Sequence, residues 1–261
     1  PHTLNYLWMQ LDRNKYTPGS LGHQSSVAPP LKRLSYDSLE SLLLKEKFDG
    51  QFHITDLVDK TGAELNKRIV DTMMRVDLPK ALKPNKSFTF KIAWHYTLTD
   101  SRTTWGRSNF EKFEKGGKIF EVAQWFPRMC AYTDVRGWQN KAFQGRGEFA
   151  LEFGDYKVAI TAPADHIVAS TGELKNQKDC LEPKWIERLN EAKNAKNPVL
   201  IVTPDEAKKN EEKGTRKTKT WIFEAKNVRD FAWASSRKFI WDALHHKLPN
   251  SNKKVWAMSY Y

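Results

Sequence analysis

The sequence predicts an all-β fold: an antiparallel β-sandwich with a helical insertion at about 183–213. Three observations lead there. Apolar and polar residues alternate with a period of two through many of the apolar stretches, the side-chain period of a half-buried strand. Pro, Gly and Asn punctuate these stretches at short intervals, as turns between antiparallel strands do. Ten Trp and fourteen Phe suit sheet faces, where flat rings pack across neighbouring strands.

Taken in order, Leu4–Leu11 is apolar on both alternating faces and suits a strand buried on two sides. Asp12 to Pro30 reads as a long loop, with Pro18-Gly19, Ser25-Ser26 and Pro29-Pro30 as breakers. Ser35 ahead of Leu39, Leu42 and Leu43 predicts a short capped helix. Phe52, Ile54 and Leu57 predict a strand closed by the turn Lys60-Thr61-Gly62. Met74, Val76 and Leu78 form one face of another, ended by Pro79 and Pro84-Asn85. Phe88, Phe90, Ile92, Trp94 and Tyr96 alternate with Thr89, Lys91, Ala93 and His95, the clearest half-buried strand in the chain. Gly116-Gly117 introduces a strand from Ile119 to Phe126 that stops at Pro127. Phe149, Leu151 and Phe153 predict a further strand, and Gly154-Asp155 a bulge or bend before Tyr156, Val158 and Ile160.

The pattern then changes. Trp185, Leu189 and Ala192 are spaced for one helix face, Val199–Val202 is a short extended run, and Pro204-Asp205-Glu206 marks a helix N-terminus. Trp221, Phe223 and Ala225 return to alternation, followed by Phe231, Trp233, Phe239, Trp241 and the apolar run Val255–Met258.

Composition excludes several classes. A hydrophobic fraction of 39% supports a core rather than disorder. No apolar run approaches the eighteen or so residues that cross a bilayer, so no membrane span is predicted. The net charge of +12 raises nucleic acid as a partner. Much of the excess sits in Lys208, Lys209, Lys213, Arg216, Lys217 and Lys219, interleaved with Glu206, Glu211 and Glu212. A mixed-sign stretch of that kind reads as a solvated connection, and no nucleic-acid partner is expected. Cys130 and Cys180 provide no metal knuckle and are expected as unpaired thiols. The chain opens on Pro without a signal-peptide pattern, as a mature, trimmed or fragmentary product would.

No complete catalytic or metal-binding constellation is visible. None of the seven histidines is followed by Glu, so no H-E-x-x-H zinc helix exists. The adjacent His245 and His246 point in different directions and read as a solvated pair. There is no nucleophile elbow, phosphate loop or dinucleotide fingerprint. Gly145-Arg146-Gly147 reads as turn geometry. Glu148 and Glu152 are four apart but have no flanking acid–base partners, and read as solvent-facing carboxylates. Trp138 with Gln139, Asn140, Lys141 and Phe143 could offer a sugar-stacking platform, although local packing explains it equally simply.

A connected set of motifs is more specific. It runs through Ala123-Gln124-Trp125-Phe126-Pro127-Arg128, Tyr132-Thr133-Asp134-Val135-Arg136-Gly137-Trp138, Gly145-Arg146-Gly147-Glu148-Phe149, Glu152-Phe153-Gly154-Asp155-Tyr156, Ile160-Thr161-Ala162-Pro163 and Val168-Ala169-Ser170-Thr171-Gly172. Together these resemble the N-terminal, saddle-like domain of the aminopeptidase N family of gluzincin zinc metallopeptidases, in particular a bacterial branch with a long helical insertion. Asn227–Ser236 is similar to the end of that domain in the same branch. The resemblance implies a saddle domain over 1–235 and the start of a catalytic-type domain over 236–261. It implies zinc in the full-length parent but no cofactor in this chain. The implied partners are a downstream catalytic domain of the same protein and, in the parent, a peptide substrate. A parent of this kind is compatible with export to a bacterial periplasm.

In that family the saddle domain contributes a Gln or Glu that holds the substrate's free amine, on the strand running into the equivalent of Phe126-Pro127. Reading back without gaps places Lys118 there, and a lysine cannot attract an ammonium group; Glu121 fits only if the register shifts. Gln124 and Arg128 are candidates for the rim of the substrate cleft, with strand-end packing and a surface ion pair as the structural alternative. A stand-alone β-sandwich module binding carbohydrate or peptide is the rival reading.

Overall fold

The computed structural model describes residues 2–25, 33–46, 48–102, 107–145, 150–212 and 214–261. Antiparallel sheets dominate, with a few helices, and the chain builds two compact units. Unit one takes Pro1–Ser108 and Gln124–Phe153; unit two takes Asn109–Ala123 and Gly154–Tyr261.

In unit one, strand Leu4–Gln10 lies between Met73–Leu82 and Arg128–Met129, and Lys67–Val70 flanks Met73–Leu82 on its far side. Burial on two sides is only partial: Leu7, Met9 and Gln10 are buried, Leu4, Tyr6 and Trp8 are half-buried and Asn5 is exposed. Leu7, Met9, Met74 and Val76 are buried with Phe52 and Leu57, which come from the antiparallel pair His53–Asp59 and Phe90–His95 or its flank. Ile92, Trp94, Tyr96 and Trp138 cover the cluster. Each fully buried side chain of this size is worth roughly 1.5–3 kcal/mol.

Several local expectations change. Met73–Leu82 runs through Pro79 instead of ending there, because the pairing steps from Tyr6↔Asp77 to Leu4↔Leu82. Pro79 thus lies in a bulge, where its missing N–H breaks no ladder bond. Asp12–Pro30 is not loop throughout: Asp12–Tyr16 is a 3₁₀ helix and Leu21–Ser25 a short α-helix. The 3₁₀ turn is held by buried polar side chains. Arg13 donates to the Ser108 and Thr97 carbonyls at 3.0 and 3.1 Å, and Asn14 Oδ1 accepts from the Phe52 amide at 2.8 Å. Ser26, Pro29 and Pro30 lie outside the described residues. The capped helix is present as Tyr36–Glu46, with Ser35 Oγ accepting from the Ser38 amide.

The strand read from Phe149 to Phe153 does not form among the described residues. Phe149 lies outside them, Leu151 makes a single bridge to Cys130, and Phe153 is exposed. The strand begins at Gly154, and the register shift between Gly154 and Tyr156 is the expected bulge. The strand read from Ile119 to Phe126 ends early, as Lys118–Val122; Gln124 then takes a left-handed backbone with φ of 53°, which a strand cannot continue through.

In unit two, Thr218–Val228 pairs with Gly154–Pro163 and with Glu173–Leu174, burying Trp221, Phe223 and Ala225 on one face as their alternation predicts. Ile167–Ser170, Trp233–Ser236, Lys118–Val122 and Asn109–Lys112 lie side by side in that order. Val199–Val202, Trp241–Lys247 and Lys254–Tyr260 form a third sheet.

The helical insertion comprises helix Pro183–Ala192, strand Val199–Val202 and helix Pro204–Glu211, and Trp185, Leu189 and Ala192 are buried. Thr203 and Glu206 form a reciprocal capping box at the second helix. Among the described residues no helix is long and apolar enough to cross a membrane.

Candidate functional site

The third sheet of unit two carries an aromatic face whose origin lies in its hydrogen-bond pattern. Ile240 and Tyr261 exchange both backbone hydrogen bonds, at 2.8 and 3.1 Å. Antiparallel partners alternate between bonded and non-bonded pairs, and side chains approach more closely in the latter. Trp241↔Tyr260, Ala243↔Met258 and His245↔Trp256 are therefore the close, non-bonded pairs. Trp241 and Tyr260 stack at 5.1 Å and 18°, and His245 and Trp256 at 4.6 Å and 25°.

Opposite this face stand Trp221 and Phe223, whose rings lie nearly parallel at 7° and 6.5 Å apart. Leu181 and Leu189 add an apolar flank, and a cavity of about 480 Å³ remains, within the size range of small-ligand sites. Its polar side chains are few: Ser170, Glu173, Gln177, Asn190 and Lys193, the last donating to Asn190 Oδ1 at 2.8 Å. The indole N–H groups of Trp221 and Trp241 are buried without an acceptor among the described residues. Burial pushes the Tyr260 phenol up, so its hydroxyl stays protonated and donates towards Met258 Sδ at 3.5 Å.

The residues singled out from sequence lie elsewhere. Gln124 is 8% exposed and occupies the left-handed turn after Lys118–Val122. Arg128 is 4% exposed; its Nε and Nη2 donate to Asp12 Oδ2 and Oδ1 at 3.1 and 2.9 Å, and Nη2 also reaches Gln10 Oε1 at 3.3 Å. Its charge faces a buried carboxylate. Lys118 Nζ sits 3.5 Å from the centre of the Phe110 ring. Glu121 is exposed and three positions on, so it belongs to the other face of the same strand. Trp138 meets Tyr132 edge-on at 5.2 Å and packs on the core of unit one, and Phe143 is buried. Both therefore serve local packing. Glu152 is exposed and Glu148 lies outside the described residues, as do Arg146, Gly147 and Lys213.

The histidines His53, His166 and His245 are engaged in other contacts. His53 Nε2 is held by Asp49 Oδ2 at 2.6 Å, and His166 Nδ1 is bonded to Ser235 Oγ at 2.8 Å. His245 stacks on Trp256 in a strand, with exposed His246 pointing to the opposite face. Among the described residues no three His, Cys, Asp or Glu side chains converge to hold a metal. Cys130 and Cys180 are both buried free thiols. Lys219 donates to the Cys180 carbonyl at 2.8 Å, so one member of the basic stretch belongs to the fold.

Sequence reasoning missed the cavity. The alternation of Trp256, Met258 and Tyr260 was a legible signal, but its convergence with Trp221 and Phe223 was not.

No protein-family model matches the chain, and no curated protein matches it. Among solved structures it is similar to an M1 zinc metallopeptidase from Deinococcus radiodurans, with a TM-score of 0.47 and 9% identity, covering 100% of this chain and 40% of that one. A two-domain M1 zinc metallopeptidase mutant bound to L-tryptophan gives 0.45 and 9% identity, covering 98% and 40%. An M1 mutant from Deinococcus radiodurans with a Tyr-Ser-Ala substrate gives 0.43 and 10%, covering 79% and 37%. The chain thus spans about two fifths of the length of these neighbours.

Proposed function

We propose that this chain is the non-catalytic N-terminal part of an aminopeptidase N-like zinc metallopeptidase, walling one side of a peptide cleft and supporting a downstream zinc domain. The observation that carries the reading is the connected run of motifs from Ala123 to Gly172, continued at Asn227–Ser236. In this reading 1–235 is the saddle domain, 236–261 begins the catalytic domain, and zinc and the peptide substrate belong to the parent. Gln124 and Arg128 border the cleft, Arg128 by bracing the backbone around it through Asp12. With Lys118 in place of an amine-holding residue, the parent is not expected to require a free substrate amine.

The test compares the chain with its intact parent. The purified chain should hydrolyse no aminoacyl anilide and retain less than stoichiometric zinc after dialysis, whereas the parent should hydrolyse the anilide and retain stoichiometric zinc. Zinc-dependent turnover by the chain alone would overturn the reading, as would a parent without an H-E-x-x-H helix downstream.

A second reading, a stand-alone peptide- or carbohydrate-binding module, is favoured by one observation, the aromatic cavity of unit two. Saturable ligand binding that is lost on Trp256→Ala and needs no downstream domain would support it.

A further inference from the structure

Strand Lys254–Tyr260 stands last in its sheet, and among the described residues no strand pairs with its outer side. The bonded pair Ile240:Tyr261 fixes the alternation along the whole ladder, so Asp242:Ser259 and Leu244:Ala257 are also bonded inward. The backbone N–H and C=O groups of Tyr260, Met258 and Trp256 consequently point outward, to the open edge. These are the same three residues whose side chains line the aromatic cavity. Open backbone groups and an apolar cavity therefore lie side by side. The other end of the edge is basic: Lys254 pairs with Lys247, Lys253 precedes it, and all three are exposed.

We propose that this edge binds an extended peptide by strand addition. The peptide places bulky apolar side chains at the cavity and an acidic group beside Lys247, Lys253 and Lys254. A strand laid along the edge meets outward N–H and C=O groups at every second residue, about 6.8 Å apart. Its alternate side chains then fall on the face that carries Trp256, Met258 and Tyr260. A sugar is the poorer occupant, because the indoles of Trp221 and Trp241 are buried to 1% and 3% exposure and one face of Trp256 is taken by His245, stacked at 4.6 Å. A second copy pairing edge to edge would bring further lysines instead of an acidic group.

The test uses this chain and an acetylated, amidated seven-residue peptide that alternates threonine with leucine and phenylalanine and carries glutamate at one end. On saturation, amide exchange at Trp256, Met258 and Tyr260 should slow by at least about tenfold, with Ala257 and Ser259, already bonded inward, unchanged. Met258→Pro deletes an outward N–H without breaking a ladder bond and should abolish binding. Met258→Ala keeps that N–H and should still bind. N-methylating the peptide at alternate positions should abolish binding in one phase and spare it in the other, a readout that holds even if the proline variant fails to fold. Equal binding by Met258→Pro that is folded, or no outward protection at saturating peptide, would overturn the proposal. Protection that appears with protein concentration alone would overturn it too, assigning the edge to a second copy.

Discussion

Arg128 grips both carboxylate oxygens of Asp12, at 2.9 and 3.1 Å, across 116 residues of sequence. The pair is nearly sealed from water, at 4% and 2% exposure. Removing one partner leaves the other charged and buried, which costs about 3–5 kcal/mol. Arg128→Met or Asp12→Leu should each lower the denaturation midpoint sharply, whereas the double variant should recover a large part of the loss. Urea unfolding of the three variants measures the coupling.

Glu206 closes the capping box and also binds Arg188 Nη1 at 2.6 Å and Lys184 Nζ at 2.8 Å. Burial alone would raise its carboxyl, but hydrogen bonds from Arg188, Lys184 and the Thr203 amide prevail and hold it at about 2, against 4.5 for a free side chain. A carboxyl depressed by folding stabilises the folded state above its unfolded pKa, and the contribution is lost as pH falls from that value through the folded one. Stability should therefore drop between about pH 5 and 2. Glu206→Gln should flatten that slope in thermal melts recorded across the window.

Gly172 has a φ of +90°, and a Cβ there would lie 2.5 Å from the Glu224 carbonyl oxygen. Backbone cannot withdraw as a flexible side chain can. Gly172→Ala should cost at least about 1–3 kcal/mol through strain alone, read as a lower melting temperature.

Burial pushes the Cys130 thiol up to about 12, with the nearby Asp12 charge acting in the same direction, and burial raises Cys180 as well. Thiolate is the reactive form. Ellman's reagent at pH 8 should thus modify neither thiol at an appreciable rate in the folded chain, and both once urea unfolds it.

Elements with a strong period were legible in the sequence. Trp185, Leu189 and Ala192 announced a helix face, Trp221, Phe223 and Ala225 a strand face, and all six are buried. Lys67–Val70 was not legible, because all four residues are exposed and neither face carries an apolar pattern. Pro79 misled because its local preference is to stop a strand, and only the five-residue step in pairing with Leu4–Gln10 shows how it is accommodated. Arg128 was read at a cleft rim from its place in a motif; the carboxylate it binds lies on a turn that nothing in the local sequence links to it. The aromatic cavity draws on segments from Val168 to Tyr260, a convergence that periodicity within any one segment cannot express.

In unit two, Lys118–Val122 lies between Asn109–Lys112 and Trp233–Ser236. One neighbour is made just before it, while the other leaves the ribosome only after residues 123–232 have been synthesised. Unit one has all its parts once Phe153 emerges. A nascent chain therefore passes through a stage in which the first unit can close while Ile119, Phe120 and Val122 still wait beside an unfilled sheet position. A chain cut short between Val122 and Trp233 would carry the same bare edge permanently.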